Sequence, residues 1–192
     1  MIPPFILASA SPRRRQLLTE AGYTFEVEPS RFAEPEPGPE TSPAVYAAGL
    51  AYCKAADVAG RRGSGLILAA DTVCVVEGVI LGKPSDRADA ERMIRLQEGS
   101  DTEVLTGVCL LRAGRAEWVG AVEVSIVRFR PLEDQQRNAF LDTNRWQGKA
   151  GAYGVQDHDP WVEVVRGSHS NVVGLPMERL ADLLESYPSL TR

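Results

Sequence analysis

The sequence predicts an α/β protein with a mixed, twisted sheet flanked by helices, and three observations predict it. Continuous apolar runs of strand length, Phe5-Ile6-Leu7-Ala8 and Leu66-Ile67-Leu68-Ala69-Ala70, read as buried strands. Segments with apolar residues at helical spacing, bounded by capping and stop residues, lie between such runs. The two kinds do not alternate strictly, which favours a mixed sheet over a regular βα repeat.

Taken in order, residues 5–8 form the first strand. Ser11 is a good N-cap and Pro12 a good first helical residue, so a helix is expected over 12–21, with Leu17, Leu18 and Ala21 recurring and Gly22 closing it. Phe25-Glu26-Val27-Glu28 alternates as a second strand. Residues 29–43 are rich in Pro, Glu and Ser and read as a loop containing Glu34. An Ala-rich helix follows over 44–60 with Lys54 near its middle, bracketed by Gly60 and Gly63.

The run 66–70 stops at Asp71-Thr72, so Asp71 is expected to end a buried strand. Val73–Val76 continues the extended pattern, Glu77-Gly78 turns, and Val79-Ile80-Leu81 leads to Gly82-Lys83-Pro84. A helix over 86–97 puts Ala90, Met93, Ile94 and Leu96 on its apolar side. Strands are expected near 103–112, 116–128 and 160–165, with a helix near 133–142 and a last helix after Pro176.

The 192 residues, 44% hydrophobic, suffice for one core, so the chain reads as one domain over 1–192, simple or two-lobed. With 21 basic and 26 acidic residues the net charge is −5, which argues against a general nucleic-acid surface. Cys53, Cys74 and Cys109 have no paired spacing and predict neither a disulfide framework nor a zinc site. Cys74 and Cys109 sit in apolar runs and read as buried thiols. His158 and His169 lack metal-ligand spacing and read as surface residues. With no leader pattern and no run near the ~20 apolar residues of a bilayer span, the expectation is a cytoplasmic protein without membrane partners.

Against that acidic background, Ser9-Ala10-Ser11-Pro12-Arg13-Arg14-Arg15 reads as an anion site. A helix N-terminus offers unpaired N–H groups, and arginine adds forked donors. A capped helix with a solvated basic face would look the same. It is no P-loop, since no Gly-Lys-Ser/Thr ends a glycine-rich loop. Asp71 and Glu34 supply two carboxylates, Lys54 and Lys83 supply cations, and the glycines of 151–156 let backbone approach a ligand beside Gln156. Such a set suits metal-assisted hydrolysis of a polyphosphate, with magnesium held by the carboxylates and substrate phosphates. A Gly-x-Ser-x-Gly nucleophile elbow is absent.

Ordered segments along nearly the whole chain resemble the Maf family of nucleoside triphosphate pyrophosphatases, related in fold to the inosine triphosphatase group. They are LASASPRRRQLL at 7–18, the Ser30…Glu34 loop, LAYCKA at 50–55, AADTV at 69–73, ILGKP at 80–84, TGV at 106–108, GKAGAYGVQ at 148–156 and SNVVGLP at 170–176. The resemblance implies a two-lobed domain with a cleft, and cleavage between the α and β phosphates to a monophosphate and pyrophosphate. It implies Asp71 as the general base, Glu34 with Asp71 at the metal (magnesium, or manganese), and Ser9, Arg13, Arg14, Lys54 and Lys83 lining the phosphate region. Arg13, Thr72 and Gln156 match the branch that prefers dTTP and UTP over 7-methyl-GTP. A glutamine amide can donate and accept, which suits a pyrimidine carbonyl and N–H. The resemblance also carries a homodimer, removal of non-standard nucleotides, and a link to inhibited septum formation. Two rivals are the same chemistry on another base and a non-catalytic nucleotide-binding regulator.

The chain departs from the family pattern in three places. Asp157-His158-Asp159 follows Gln156 where glycine is usual, Thr102 stands where histidine is usual, and Asn144-Arg145-Trp146 precedes GKAG in place of Gly-Glu-Pro. The acidic loop bears on nucleotide preference. Its two aspartates read as solvated loop acids in preference to metal ligands.

Overall fold

Strand β1, Phe5–Leu7, is buried throughout and lies between two parallel neighbours, β2 (Phe25–Val27) and β3 (Gly65–Val76). Beyond β3 the pairing becomes antiparallel. A two-residue turn at Glu77-Gly78, both at positive φ, folds β4 (Val79–Leu81) back on β3. On the other edge of β3 come β5 (Asp101–Ala113), β6 (Glu117–Phe129) and β7 (Val162–Arg166), giving the order β2-β1-β3-β5-β6-β7. The sheet is mixed, as its sequence predicts. The computed structural model describes residues 3–186 except 39, 116 and 158. His158 and the first residue of the strand expected at 116–128 therefore lie outside the described residues.

The strands read as continuous apolar runs because helices cover both faces of the sheet. Leu66, Leu68, Ala70, Val108 and Leu110 pack with Leu18 of α1 (Pro12–Glu20) and with Leu180, Leu183 and Leu184 of α6 (Met177–Ser186). The alternate residues Ile67, Ala69, Cys109 and Leu111 pack against Ala51, Ala55 and Val58 of α2 (Pro43–Arg62). At the far end Cys74, Val104, Val127 and Phe129 pack with Met93 and Ile94 of α3 (Arg87–Gln97) and Phe140 and Leu141 of α4 (Asp134–Asp142). Burial pushes the thiols of Cys74 and Cys109 up to about 12, consistent with their reading as inert core residues.

Four expectations change. Asp71 does not end its strand; β3 runs on through Asp71 and Thr72, paired with β5 without a break from Gly65↔Ala113 to Val75↔Glu103. Polar side chains interrupt the apolar run, but the backbone ladder does not depend on them. Leu96 is 41% exposed, and Gln97, 1% exposed, completes the stripe of Ala90, Met93 and Ile94. That is the i, i+3, i+4, i+7 spacing, and Gln97 satisfies its amide by donating to the carbonyls of Met93 and Gly151. Pro43, read as loop, is the first residue of α2 behind Ser42, where a missing N–H costs nothing. The segment 148–157 contains 3-10 turns at Ala150–Ala152 and Val155–Asp157, and a short helix α5, His169–Val173, precedes α6.

Candidate active site

Strand β3 loses its neighbour where the chemistry would occur. The last bond to β1 runs from Ala8 N–H to the Leu68 carbonyl at 2.8 Å, and β4 pairs only from Cys74 onward. Asp71 stands in the gap between, 6% exposed. Opposite it on β5 is Gly107, where α2 comes so close that an added Cβ would overlap the Ala47 carbonyl and lie 2.8 Å from the Ala48 nitrogen. The small residue lets helix backbone pack directly on strand backbone. Lys54, two helical turns after Ala47, lies on that same buried face and donates to Asp71 Oδ1. Its ammonium also pairs with Glu34 Oε1 at 2.7 Å.

Glu34 reaches this point because its loop is tied at both ends. Asp57 accepts from Ser30 Oγ at 3.0 Å and from Arg31 N–H at 2.8 Å, and Tyr46 Oη donates to the Pro35 carbonyl at 2.6 Å. Burial pushes the Glu34 carboxyl up, but the hydrogen bond and charge of Lys54, with Lys83 and Arg14 behind, outweigh it and hold the group below its ordinary value. At Asp71 the balance is reversed. Burial raises the carboxyl above its ordinary value despite Lys54 and Arg14. Two acids on one lysine are thus pushed apart, as in sites that divide proton-transfer and charge-holding roles.

The basic segment divides by direction. Ser11 caps α1, accepting from Arg14 N–H at 3.4 Å. Arg14 turns inward, donating Nε to the Gly174 carbonyl at 2.7 Å, Nη1 to Ser9 Oγ at 3.1 Å and Nη2 to Thr72 Oγ1 at 3.3 Å. Burial lowers the Arg14 pKa, against the pull of Asp71. Behind Thr72, Thr106 Oγ1 lies 2.9 Å away and donates to the Asn171 carbonyl at 3.2 Å. Asn171 in turn donates to the Val104 carbonyl and Ser125 Oγ. Arg13 also lines the cleft, whereas Arg15 is exposed and outside it.

All nine predicted site residues, Ser9, Arg13, Arg14, Glu34, Lys54, Asp71, Thr72, Lys83 and Gln156, line one cleft of about 690 Å³. That volume falls within the roughly 300–1,000 Å³ of small-molecule sites. Among the described residues five cations line it (Arg13, Arg14, Lys54, Lys83, Lys149) against three carboxylates (Glu34, Glu36, Asp71), in a chain of net charge −5. Its lining brings the α1 N-terminus, Arg14, Lys54 and Asp71 together with the apolar side chains of Val104, Val127 and Phe129, with Tyr153 and with Gln156. Thr102, which also lines the cleft, has a buried hydroxyl without a partner among the described residues.

Lys149 is the cleft cation that sequence reasoning missed. It is 8% exposed and donates to Asp157 Oδ2 at 2.5 Å. Burial lowers its pKa, and Asp157 opposes that. The available signal was a lysine bracketed by Gly148 and Gly151, both at positive φ, where glycine is required by the backbone and not only by a ligand. Asp157 and Asp159, read as solvated acids, are instead paired: Asp157 with Lys149, and Asp159 Oδ1 with Arg145 Nη2 at 3.2 Å. His169 is exposed, as expected. Among the described residues no cluster of three acidic, histidine or cysteine side chains could hold a metal, and no helix is long and apolar enough to cross a membrane.

The chain as a whole is similar to known proteins. Residues 4–187 match the family described as Maf-like protein. The chain is 51% identical over 186 residues to a dTTP/UTP pyrophosphatase of Rhodopirellula baltica, covering 95% of this chain and 81% of the relative. It is 42% identical over 183 residues to a dTTP/UTP pyrophosphatase of Pelotomaculum thermopropionicum, covering 95% of each chain. A slighter likeness, TM-score 0.46 at 13% identity over 98% of each chain, joins it to a solved nucleoside-triphosphatase / dITP/XTP pyrophosphatase of Mycobacterium abscessus.

Proposed function

Because the chain belongs to the Maf-like protein family, we propose that it is a nucleoside triphosphate pyrophosphatase hydrolysing dTTP and UTP to the monophosphate and pyrophosphate. The observation that carries this reading is a single cleft in which Lys54 and Arg14 act on Asp71 while the α1 N-terminus, apolar side chains and Gln156 share the lining. Relatives named dTTP/UTP pyrophosphatase, at 37–51% identity over nearly the full chain, support the choice of nucleotide.

In this reading Asp71 takes the proton of the attacking water. Its burial and its raised carboxyl suit a base, since a carboxylate far down the scale would accept a proton poorly. The water oxygen bonds to phosphorus as the α–β bridge breaks, and pyrophosphate leaves with the bridging oxygen. Arg13, Arg14 and Lys83 balance charge on the phosphates, and Ser9 and Thr72 hold the Arg14 fork in place. Lys54 fixes Asp71 and Glu34 relative to each other. Gln156 reads the base edge.

The residues fit a divalent metal of the magnesium type. Two carboxylates converge on one point, now bridged by the Lys54 ammonium, and magnesium needs only one or two protein carboxylates when phosphates complete its shell. Bound there by Glu34 and Asp71, it would neutralise phosphate charge and acidify water. Manganese is the alternative ion. A homodimer, removal of non-standard nucleotides and a link to septum formation belong to this reading on the family resemblance alone.

Steady-state kinetics with magnesium on dTTP, UTP, CTP, GTP and 7-methyl-GTP tests the proposal. It expects the highest kcat/KM for dTTP and UTP. Turnover confined to 7-methyl-GTP would keep the chemistry and overturn the choice of base.

A further inference from the structure

Gln156 is the residue on which nucleotide choice turns in the reading above, yet no side-chain hydrogen bond among the described residues fixes its amide. Its position is set by what surrounds it. The amide lies over Gly154, where an added Cβ would overlap it, and the next residue, Asp157, is bonded by its N–H to the Gly154 carbonyl at 2.9 Å. Asp157 is then held by Lys149 at 2.5 Å, with Arg145 Nη1 at 3.9 Å from the same carboxylate oxygen. Arg145 reaches on to Asp159 at 3.2 Å, and Asp159 N–H donates to Tyr153 Oη at 3.3 Å. The guanidinium lies 5.3 Å over the Phe140 ring, which anchors the cation to the core side of α4.

Each end of this chain of pairs has a distinct surrounding. Lys149, Gly154 and Gln156 line the cleft; Arg145, Asp157 and Asp159 do not. The charged side chains are mostly covered, with 10% of Lys149, 11% of Asp157 and 19% of Asp159 exposed, so water screens them less than surface pairs. A network of this kind has few alternative arrangements, because leaving any one charge buried and unpaired is costly. Two of the stretches where the chain departs from its family pattern, 144–146 and 157–159, are bonded to each other through it.

We propose that Arg145, Asp157 and Asp159 are positioning residues that act through Lys149 and the 155–157 turn to hold Gln156 for the base, and so set nucleotide preference from outside the cleft. The inference rests on the dTTP/UTP pyrophosphatase reading. Asp71 is held by Lys54, which also pairs with Glu34, and none of these is bonded to the 155–157 turn, so a displaced Gln156 would leave that cluster intact. The loss should therefore fall on KM and on discrimination between bases, with kcat largely kept.

The test compares wild type with R145A, R145K and D159N on dTTP, UTP and GTP, with melting temperatures recorded for each. Arg145 is 37% exposed in its side chain, so its replacement removes the links to Asp159 and Asp157, leaving the Lys149–Asp157 pair, without opening the core. For R145A and D159N the proposal expects a rise in KM for dTTP and UTP of about tenfold, the scale of a small misplacement of a binding group. It expects kcat within about twofold, a smaller change for GTP, and recovery of most of the preference in R145K. Variants that melt lower but keep KM and preference would overturn the proposal, as would an equal fall in kcat for every nucleotide. Should D159N fail to fold, R145A and R145K decide the matter alone. A wild-type enzyme that leaves dTTP and UTP untouched would instead overturn the functional reading itself, before any variant is compared.

Discussion

Lys54 donates to Asp71 from the buried face of α2, although the two residues belong to different layers and are separated by the end of the helix, a turn and the first half of β3. The contact depends on how closely the helix lies on the sheet, and it determines the proton chemistry of the cleft.

Burial raises the Asp71 carboxyl above the ordinary 3.8, and Lys54 pulls it down. In the metal-free protein Asp71 should therefore titrate above the ordinary aspartate range. Lys54→Met removes the opposing charge, so that titration should move to higher pH. NMR titration of the carboxyl in both proteins without metal checks this. An unmoved titration would mean that Lys54 does not act on Asp71.

The same shift has a stability sign. A carboxyl whose folded pKa is raised binds its proton more tightly in the native state. Its contribution is present below the unfolded value and is lost as pH rises through the folded one. Asp71→Asn removes that cost at neutral pH, so the variant should melt no lower than wild type while turnover falls by about 10³, the scale of a lost general base. Calorimetry at pH 7, beside an activity assay, reads both. A sharply lower melting temperature would make Asp71 a structural residue.

Gly107 permits the approach that brings Lys54 to Asp71. Gly107→Ala would drive a Cβ into the Ala47 carbonyl, a backbone neighbour that cannot swing aside. It should cost about 3 kcal/mol, at the upper end of overpacking, and lower activity with it. Urea unfolding measures the first, and an unchanged midpoint would mean that α2 shifts freely.

Thr102 has a buried hydroxyl without a partner among the described residues. Thr102→Val keeps the shape and removes the unsatisfied group, so stability should rise by about 1 kcal/mol. Chemical denaturation reads the sign. A loss of that size would mean that an ordered water satisfies the hydroxyl.

Much of this was legible in the chain because capping and burial leave local marks. Ser11-Pro12 announced the start of α1, and Lys54 stood out as a cation near the middle of an Ala-rich helix. What was illegible depends on pairing partners. Nothing local shows that β5 carries β3 through Asp71-Thr72, since the ladder is made by backbone 30–40 residues away in sequence. Gln97 displaced Leu96 from the core because its amide finds the Gly151 carbonyl, a contact that exists only in the fold. Asp157 and Asp159 look like solvated acids until Lys149 and Arg145 are brought beside them.

The most direct measurement is phosphorus NMR of dTTP turned over by wild type and by Asp71→Asn, with magnesium present. The account predicts dTMP and pyrophosphate from wild type and neither from the variant. Orthophosphate with dTDP, or equal turnover by the two proteins, would contradict it.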